Sequence, residues 1–289
     1  VRWALGVGRR ASERRQEQRR VPPLLALEER LAGRLVFSKV TRRLGGRLRL
    51  AISGAAPLAP EICRFFHALG ILILEGYGLT ECTSAAAVNR PDWFKFGTVG
   101  PALPGIELLI AEDGEILMRT PTIFAGYYKD EEATRAILDD EGWLHSGDVG
   151  SLDDDGFLTI TDRKKDLIVT AGGKNVAPAN LENTLQASPI VSQALVVGDR
   201  RPYLVALVTL DPDEVEKTGG DPRELVQEKI DELNADLTQF EQIRRFAILP
   251  REFSIEESEV TPTLKLRRRV IEDRYGVEIE KLYKRRAPT

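Results

Sequence analysis

The chain has 289 residues, of which 42% are hydrophobic and 30% are charged, and its formal net charge is −4. This length and composition predict a globular protein with more than one domain. No apolar run reaches about eighteen residues, so no transmembrane helix is expected. The acidic net charge argues against nucleic acid as a partner. Two cysteines, Cys63 and Cys82, are too few for a disulfide framework, which favours a reduced, cytoplasmic protein.

The first fifty residues are rich in arginine and poor in acids. Leucines recur at helical spacing from Leu24 to Leu35, which predicts helices over residues 11–47 with a break at Pro22-Pro23. Such a segment is typical of peripheral contact with a membrane surface or another polyanion, or of a solvated helix face. The solvated face is the more common case, and it is favoured here.

Two strand ends predict a ligand pocket. Residues 47–53 have a strand pattern and run into Ser53-Gly54-Ala55-Ala56-Pro57. After a predicted helix over 60–69, the apolar run Ile71–Leu74 predicts a buried parallel strand that ends in Glu75-Gly76-Tyr77-Gly78-Leu79-Thr80-Glu81. In open α/β sheets ligands bind at the carboxyl ends of the strands, so both corners are expected at one pocket. Either corner alone is explained as well by a simple turn.

The residue types at the second corner suit a nucleotide. Glycines let the backbone approach a ligand closely, and Tyr77 offers a ring face to a base. Thr80 has a hydroxyl for a phosphate. Glu81 has the oxygen ligands that Mg²⁺ prefers when it also binds substrate phosphates.

The sequence GYGLTE after an apolar strand resembles the adenylate-forming (AMP-binding) superfamily, which includes acyl-CoA synthetases, luciferases and peptide-synthetase adenylation domains. Further motifs of that superfamily follow in order. They are Gly97–Pro101, Leu103–Gly105, Gly114–Arg119, Gly126-Tyr127-Tyr128, Trp143–Asp148, Asp162–Pro178 and the segment TPTLKLRR that contains Lys265. Within the superfamily, the chain resembles the carboxyl-terminal half of a bacterial long-chain fatty acyl-CoA synthetase.

The resemblance implies an ATP-dependent long-chain fatty acid:CoA ligase. Its substrates would be fatty acid, ATP and coenzyme A, with Mg²⁺ as the metal ion. The carboxylate first forms an acyl-adenylate, and the thiol of coenzyme A then displaces AMP. Two alternatives stay open: an adenylating enzyme that loads a carrier protein, and a non-catalytic nucleotide-binding or interaction fragment.

The resemblance also implies roles for single residues. The proposed nucleotide contacts are Gly54, Ala55, Ala56, Tyr77 and Gly78 at the adenine, Thr80 at the α-phosphate, and Asp148 and Arg163 at the ribose. Glu81 would bind Mg²⁺, and Lys265 would act in adenylation as a cation on a flexible stem. Without the resemblance, Asp148 has the pattern of a turn cap, and Arg163 and Lys265 that of solvated cations. His145 is undecided.

The stretch Asp162–Pro178 is predicted to be a domain boundary, with a tight hairpin tip at Gly172-Gly173. By motif position Lys165 would be the pivot of a hinge between the two half-reactions. Gly172, Gly173 and Lys174 would line the channel for coenzyme A.

The expected fold is α/β and α+β multidomain, as a partial adenylate-forming enzyme fold. Residues 1–96 would be a remnant of the large α/β domain, 97–162 a small β-barrel-like subdomain, and 163–289 the hinge and a mobile α+β domain. The superfamily's phosphate loop, which is rich in Ser, Thr and Gly, is not found upstream of Ser53. We therefore expect the amino-terminal half of the enzyme to be missing, and the chain alone to have little or no ligase activity.

Overall fold

A computed structural model describes residues 1–17, 19–56, 58–262 and 265–284. Pro57 and the pair Thr263-Leu264, which belong to two of the predicted motifs, lie outside these ranges. The chain divides into two compact units, Val1–Lys164 and Lys165–Thr289. No helix of the described residues is long and apolar enough to cross a membrane.

The first unit begins with helices α1 (Arg2–Gln16), α2 (Pro23–Ala32) and α3 (Ser38–Arg43), with one π-helical turn at Gly33–Phe37. The predicted helical character and the break before α2 are confirmed, although α1 starts earlier than expected. Pro23 opens α2, where its missing N–H costs no hydrogen bond. The arginines of α1 lie on its solvated side, where Arg10 and Arg15 pair with Glu28 and Glu29.

A three-stranded sheet follows, with β1 (Leu50–Ser53), α4 (Pro60–Ala68), β2 (Leu72–Leu79) and β3 (Ser84–Val88). The strand order is β1-β2-β3, and β1 and β2 are parallel as predicted. The predicted corner at Glu75–Leu79 is instead the second half of β2, because it pairs antiparallel with β3. Gly78 permits this pairing, since a Cβ there would lie 1.6 Å from the carbonyl oxygen of Ser84.

The rest of the first unit contains β4 (Gly100–Pro101), β5 (Glu107–Ile110), β6 (Glu115–Arg119), α5 (Glu131–Ile137), β7 (Leu144–Leu152) and β8 (Phe157–Arg163). Their antiparallel sheet has the order β4-β8-β7-β6-β5. Over residues 97–164, all of which are described, β4 and β5 lie at its edges and the sheet stays open. The β-barrel-like subdomain is thus an open sheet, packed through Ile116, Met118 and Leu144 against residues of β3.

The second unit is an α+β fold. In chain order it contains β9 (Ile168–Val169), β10 (Asn175–Val176), α6 (Pro178–Gln186), β11 (Val191–Val197), β12 (Leu204–Leu210), α7 (Pro212–Thr218), α8 (Pro222–Asn234), β13 (Ile243–Ile248), α9 (Arg268–Arg274) and α10 (Gly276–Tyr283). The sheet β11-β12-β13 has an apolar core on each face. One core includes α6 and α8, and the other includes α9 and α10.

Candidate nucleotide-binding site

Two of the predicted nucleotide contacts, Tyr77 and Arg163, meet at the buried carboxylate of a third, Asp148. The Tyr77 hydroxyl donates to Asp148 Oδ2 at 2.6 Å, and Arg163 Nε lies 3.2 Å from Oδ1. Asp148 on β7 is directly opposite Arg163 on β8, and its residue exposure is only 4%. Burial, together with the charge of Asp148, raises the pKa of Tyr77, so this phenol stays a hydrogen-bond donor.

Asp148 therefore does not act as a turn cap, because its carboxylate joins two sheets. Each oxygen of a carboxylate has two lone pairs, so the bonds from Tyr77 and Arg163 leave acceptor capacity for ligand hydroxyls. Arg163 is exposed, so the cluster of Tyr77, Asp148 and Arg163 is open to solvent at the arginine.

The backbone at the end of β1 lies beside the same part of β2. Ser53 pairs with Glu75, and a Cβ on Gly54 would lie 3.2 Å from the carbonyl oxygen of Gly76. Ala55 has φ +67°, a left-handed conformation that is uncommon for alanine. Strained residues of this kind cluster at ligand sites. The structure thus brings the predicted adenine segment next to the strand that carries Tyr77.

Thr80 and Glu81 lie in a 3₁₀ turn at Thr80–Cys82, directly after β2. Thr80 is exposed. One oxygen of Glu81, Oε1, accepts a hydrogen bond from the hydroxyl of Tyr127 at 2.6 Å. Among the described residues no group of three or more acidic, His or Cys side chains could hold a metal ion. A single carboxylate fits Mg²⁺ where substrate phosphates and water supply the other ligands.

A second buried carboxylate, Glu115 at the start of β6, lies beside the part of β7 that carries Asp148. It accepts hydrogen bonds from Gly147 N at 2.9 Å and Lys164 Nζ at 2.9 Å, and His145 Nδ1 lies 3.3 Å away. Burial alone would raise the pKa of Glu115, but the bonds from Lys164 and Gly147 lower it below its ordinary value. Lys164 also pairs with Asp113 at 2.6 Å. His145 thus belongs to the hydrogen-bond network of Glu115.

Lys265, in the second unit, is exposed. Its N–H donates to Thr261 Oγ1 at 2.9 Å, and its carbonyl oxygen accepts from Thr261 N at 2.8 Å. The residues that follow Lys265 are bonded within the second unit. Arg267 N donates to the carbonyl of Glu259, and the next residue, Arg268, pairs with the buried Glu182 at 2.7 Å.

The hairpin tip predicted at Gly172-Gly173 is confirmed. Thr170 N donates to Lys174 O at 2.9 Å between β9 and β10, and Gly173 has φ +72°, which favours glycine. Residues 172–174 are exposed, and the ammonium of Lys174 lies 5.8 Å from the ring centre of Phe240. Lys165 is exposed at the first position of the second unit.

Sequence reasoning missed the functional environment of Tyr127, Glu115 and Lys164. Tyr127 and Glu115 lie inside quoted motifs, but the motifs alone gave them no role. The partners of these side chains are at least 30 residues away in the chain, so no local pattern links them.

Comparison with known proteins decides the family. The family model described as AMP-binding enzyme matches residues 16–128, and the model of the AMP-binding enzyme C-terminal domain matches residues 165–287. The chain belongs to the AMP-binding enzyme family. This confirms the resemblance inferred from GYGLTE and the motifs that follow it.

Curated relatives refine the comparison. The chain is 44% identical over 278 residues to the long-chain-fatty-acid–CoA ligase FadD15 of Mycobacterium bovis, covering 90% of this chain and 46% of that protein. It is 42% identical to the putative fatty-acid–CoA ligase fadD11 of Mycobacterium tuberculosis, covering 97% of this chain and 52% of that protein. The chain thus spans about half the length of the curated relatives it matches.

Solved structures confirm the predicted fold class. The adenylation domain of a carboxylate reductase from Mycobacterium chelonae matches with a TM-score of 0.73 at 27% identity, over 97% of this chain and 45% of that one. The corresponding domain from Segniliparus rugosus, solved with AMP and a co-purified carboxylic acid, also has a TM-score of 0.73, at 26% identity. It covers 97% of this chain and 45% of that one.

Proposed function

We propose that this chain forms the nucleotide-binding and mobile part of an ATP-dependent long-chain fatty acid:CoA ligase. The observation that carries the proposal is the buried Asp148 carboxylate, held between Tyr77 and Arg163 in a chain 44% identical to a protein named as such a ligase. In this proposal fatty acid and ATP give acyl-adenylate and pyrophosphate, and the thiol of coenzyme A then displaces AMP to give acyl-CoA.

Asp148 accepts hydrogen bonds from the ribose hydroxyls, and Arg163 approaches the same ribose. The remaining lone pairs of the carboxylate supply this capacity, while the Tyr77 bond fixes its orientation. Gly54, Ala55, Ala56, Tyr77 and Gly78 line the adenine pocket, and Thr80 donates to the α-phosphate. The close approach of Gly54 to Gly76 and the conformation of Ala55 support this assignment.

Glu81 holds Mg²⁺ together with the phosphates of ATP. The ion would stabilise the negative charge that develops on the phosphate oxygens during adenylation. Glu81 itself acts as an oxygen ligand at the end of β2, one residue from the threonine that binds the phosphate.

The second unit supplies the remaining roles. Lys265 contributes a cation to adenylation, and its backbone is hydrogen-bonded to Thr261. Lys165 is the pivot, an assignment supported by the boundary of the compact units between Lys164 and Lys165. The exposed turn Gly172-Gly173-Lys174 contacts coenzyme A, where glycines let the pantetheine arm come close to the backbone.

A second candidate is an adenylating enzyme that loads a carrier protein. The chain is 26% identical, with a TM-score of 0.73, to a structure of the adenylation and carrier didomain of a carboxylic acid reductase. The two candidates differ in the acceptor of the acyl group, which is free coenzyme A for the ligase and a carrier protein for this candidate. Peripheral contact of the arginine-rich segment with a membrane remains a proposal of lower rank, since Arg10, Arg15 and Arg19 are paired with glutamates.

The first test is AMP binding by the chain itself, measured by calorimetry. Asp148→Asn removes the charge of the ribose acceptor, and we expect AMP affinity to fall about tenfold or more, as for a lost hydrogen bond to a charged group. Asp154→Asn, in the exposed turn between β7 and β8, is the matched control and should bind like the parent. Equal affinity of both variants would refute the assignment of Asp148.

The second test joins the chain to the segment that precedes the matched region in the M. bovis relative. We expect this chimera to release AMP and form acyl-CoA with a long-chain fatty acid, ATP and coenzyme A. Acyl-adenylate formation without transfer to coenzyme A would favour carrier loading. AMP binding without either half-reaction would favour a non-catalytic fragment.

A further inference from the structure

The side chain of Glu81 is held by a tyrosine to which the proposed function gives no role. The hydroxyl of Tyr127 donates to Glu81 Oε1 at 2.6 Å, a short bond typical of a charged acceptor.

Tyr127 is itself fixed in place by its neighbours. Its ring packs edge-on against Phe124, with the centroids 5.0 Å apart, and its N–H donates to Thr134 Oγ1 at 2.9 Å. Gly126 has φ +133°, and a Cβ there would lie 2.9 Å from Thr134 Cγ2. The glycine therefore lets the tyrosine backbone come close to α5. The hydroxyl thus reaches Glu81 from a residue that is held at its ring and at its backbone.

The same segment also holds the main chain of the turn that carries Glu81. Phe124 N donates to the carbonyl of Glu81 at 2.8 Å, and Thr122 Oγ1 donates to the carbonyl of Cys82 at 3.0 Å. Thr83 Oγ1 donates to the carbonyl of Thr122 at 2.6 Å. Backbone and side chain of Glu81 are thus both fixed by residues 122–127.

We propose that Tyr127 is a positioning residue for the cation-binding carboxylate. Its hydroxyl holds Oε1 of Glu81, so that Oε2 serves the divalent cation that accompanies ATP. The inference rests on the proposed function, because it assumes that Glu81 is the cation ligand. Residues that orient a metal ligand through a hydrogen bond commonly contribute 10- to 100-fold to metal affinity.

The test uses two adjacent tyrosines. Tyr127→Phe removes the hydroxyl and keeps the ring against Phe124. Tyr128→Phe is the matched control, because Tyr128 is 87% exposed and its ring lies near the ammonium of Lys129. Binding of Mn²⁺ with ATP to the 289-residue chain is followed by the electron paramagnetic resonance signal of free Mn²⁺, with ATP alone as the blank. AMP binding without metal is measured in parallel.

We expect Tyr127→Phe to weaken Mn²⁺ binding in the presence of ATP about tenfold and to leave AMP binding unchanged, while Tyr128→Phe matches the parent. Equal or tighter Mn²⁺ binding by Tyr127→Phe would overturn the positioning role and leave the proposed function standing. An equal loss of AMP affinity would also overturn it, since the hydroxyl would then act on the nucleotide pocket. A parent chain that binds neither AMP nor Mn²⁺ with ATP would sink the proposed function, and this inference with it.

Discussion

Two glycines of β2 give a sharp test of the structure around the candidate site. Gly76 and Gly78 flank Tyr77, yet they differ in the room for a methyl group. A Cβ on Gly78 would lie 1.6 Å from the carbonyl oxygen of Ser84 and 2.7 Å from the Cα of Ala85. A Cβ on Gly76 would meet Val88 Cγ2 at 3.4 Å, an ordinary contact.

The magnitude follows from which atoms must move. Contact distances below 3 Å to backbone atoms force β3 away from β2, so Gly78→Ala should destabilise the first unit by about 3 kcal/mol or more, at or above the upper range for overpacking. Gly76→Ala needs no such shift and restricts the unfolded chain. Its effect should stay within about 1 kcal/mol of the parent.

The assay can report on the first unit alone. All three tryptophans, Trp3, Trp93 and Trp143, lie in that unit. Urea unfolding followed by tryptophan fluorescence therefore avoids treating a chain of two units as a single two-state system. Gly78→Ala variants as stable as Gly76→Ala, within about 1 kcal/mol, would refute the tight pairing of β2 and β3 described here.

Four further predictions each concern a single side chain. Burial, with Arg15 nearby, lowers the pKa of His67, which is hydrogen-bonded to Ser12 at 2.7 Å. Below the ordinary pKa of about 6.5 the unfolded state therefore binds more protons than the folded state. The first unit should lose stability as the pH falls toward the lowered pKa of the folded state. His67→Gln should remove this slope from the tryptophan unfolding curves, and an unchanged slope would contradict the assignment to His67. Arg268→Met leaves the buried Glu182 without its arginine and should destabilise the second unit by about 3 kcal/mol, measured by circular dichroism. Arg269→Met, at the neighbouring position, is the control. Equal stability of the two variants would argue against a stabilising pair of Arg268 and Glu182. In the chimera, Lys265→Ala should impair adenylation far more than thioester formation from supplied acyl-adenylate. Lys165→Pro should instead impair thioester formation far more than adenylation. For either variant, equal losses in both half-reactions would refute the role proposed for that lysine.

Local patterns in the sequence predicted much of the fold. The apolar run Ile71–Leu74 and the small residues after Ser53 indicated the parallel pair β1 and β2, and Gly172-Gly173 indicated the hairpin tip. These features depend on burial and backbone conformation, which can be predicted from the types of the residues in the segment itself. The continuation of β2 through Leu79 was missed because it depends on pairing with another strand, β3. Glycines that suggest a corner instead allow β3 to pair closely.

The candidate site divides in the same way. Tyr77, Asp148 and Arg163 were named from motifs, and the structure brings them together through β2, β7 and β8. The bond between Tyr127 and Glu81 joins residues 46 positions apart in the chain, so no periodicity predicts it. The open form of the five-stranded sheet was also beyond the sequence, because strand counts do not determine whether the edge strands pair.

The network around Glu115 bears on where a hinge can begin. Lys164 is fixed twice, since its ammonium binds Asp113 and Glu115 while its N–H donates to the carbonyl of Gly147 at 2.8 Å. A backbone held in this way resists changes in its dihedral angles, whereas hinges absorb such changes at element ends. The first residue beyond these bonds is Lys165, which is exposed and begins the second compact unit. The anchoring of Lys164 thus gives a physical reason, independent of any motif, to propose the pivot at the next residue.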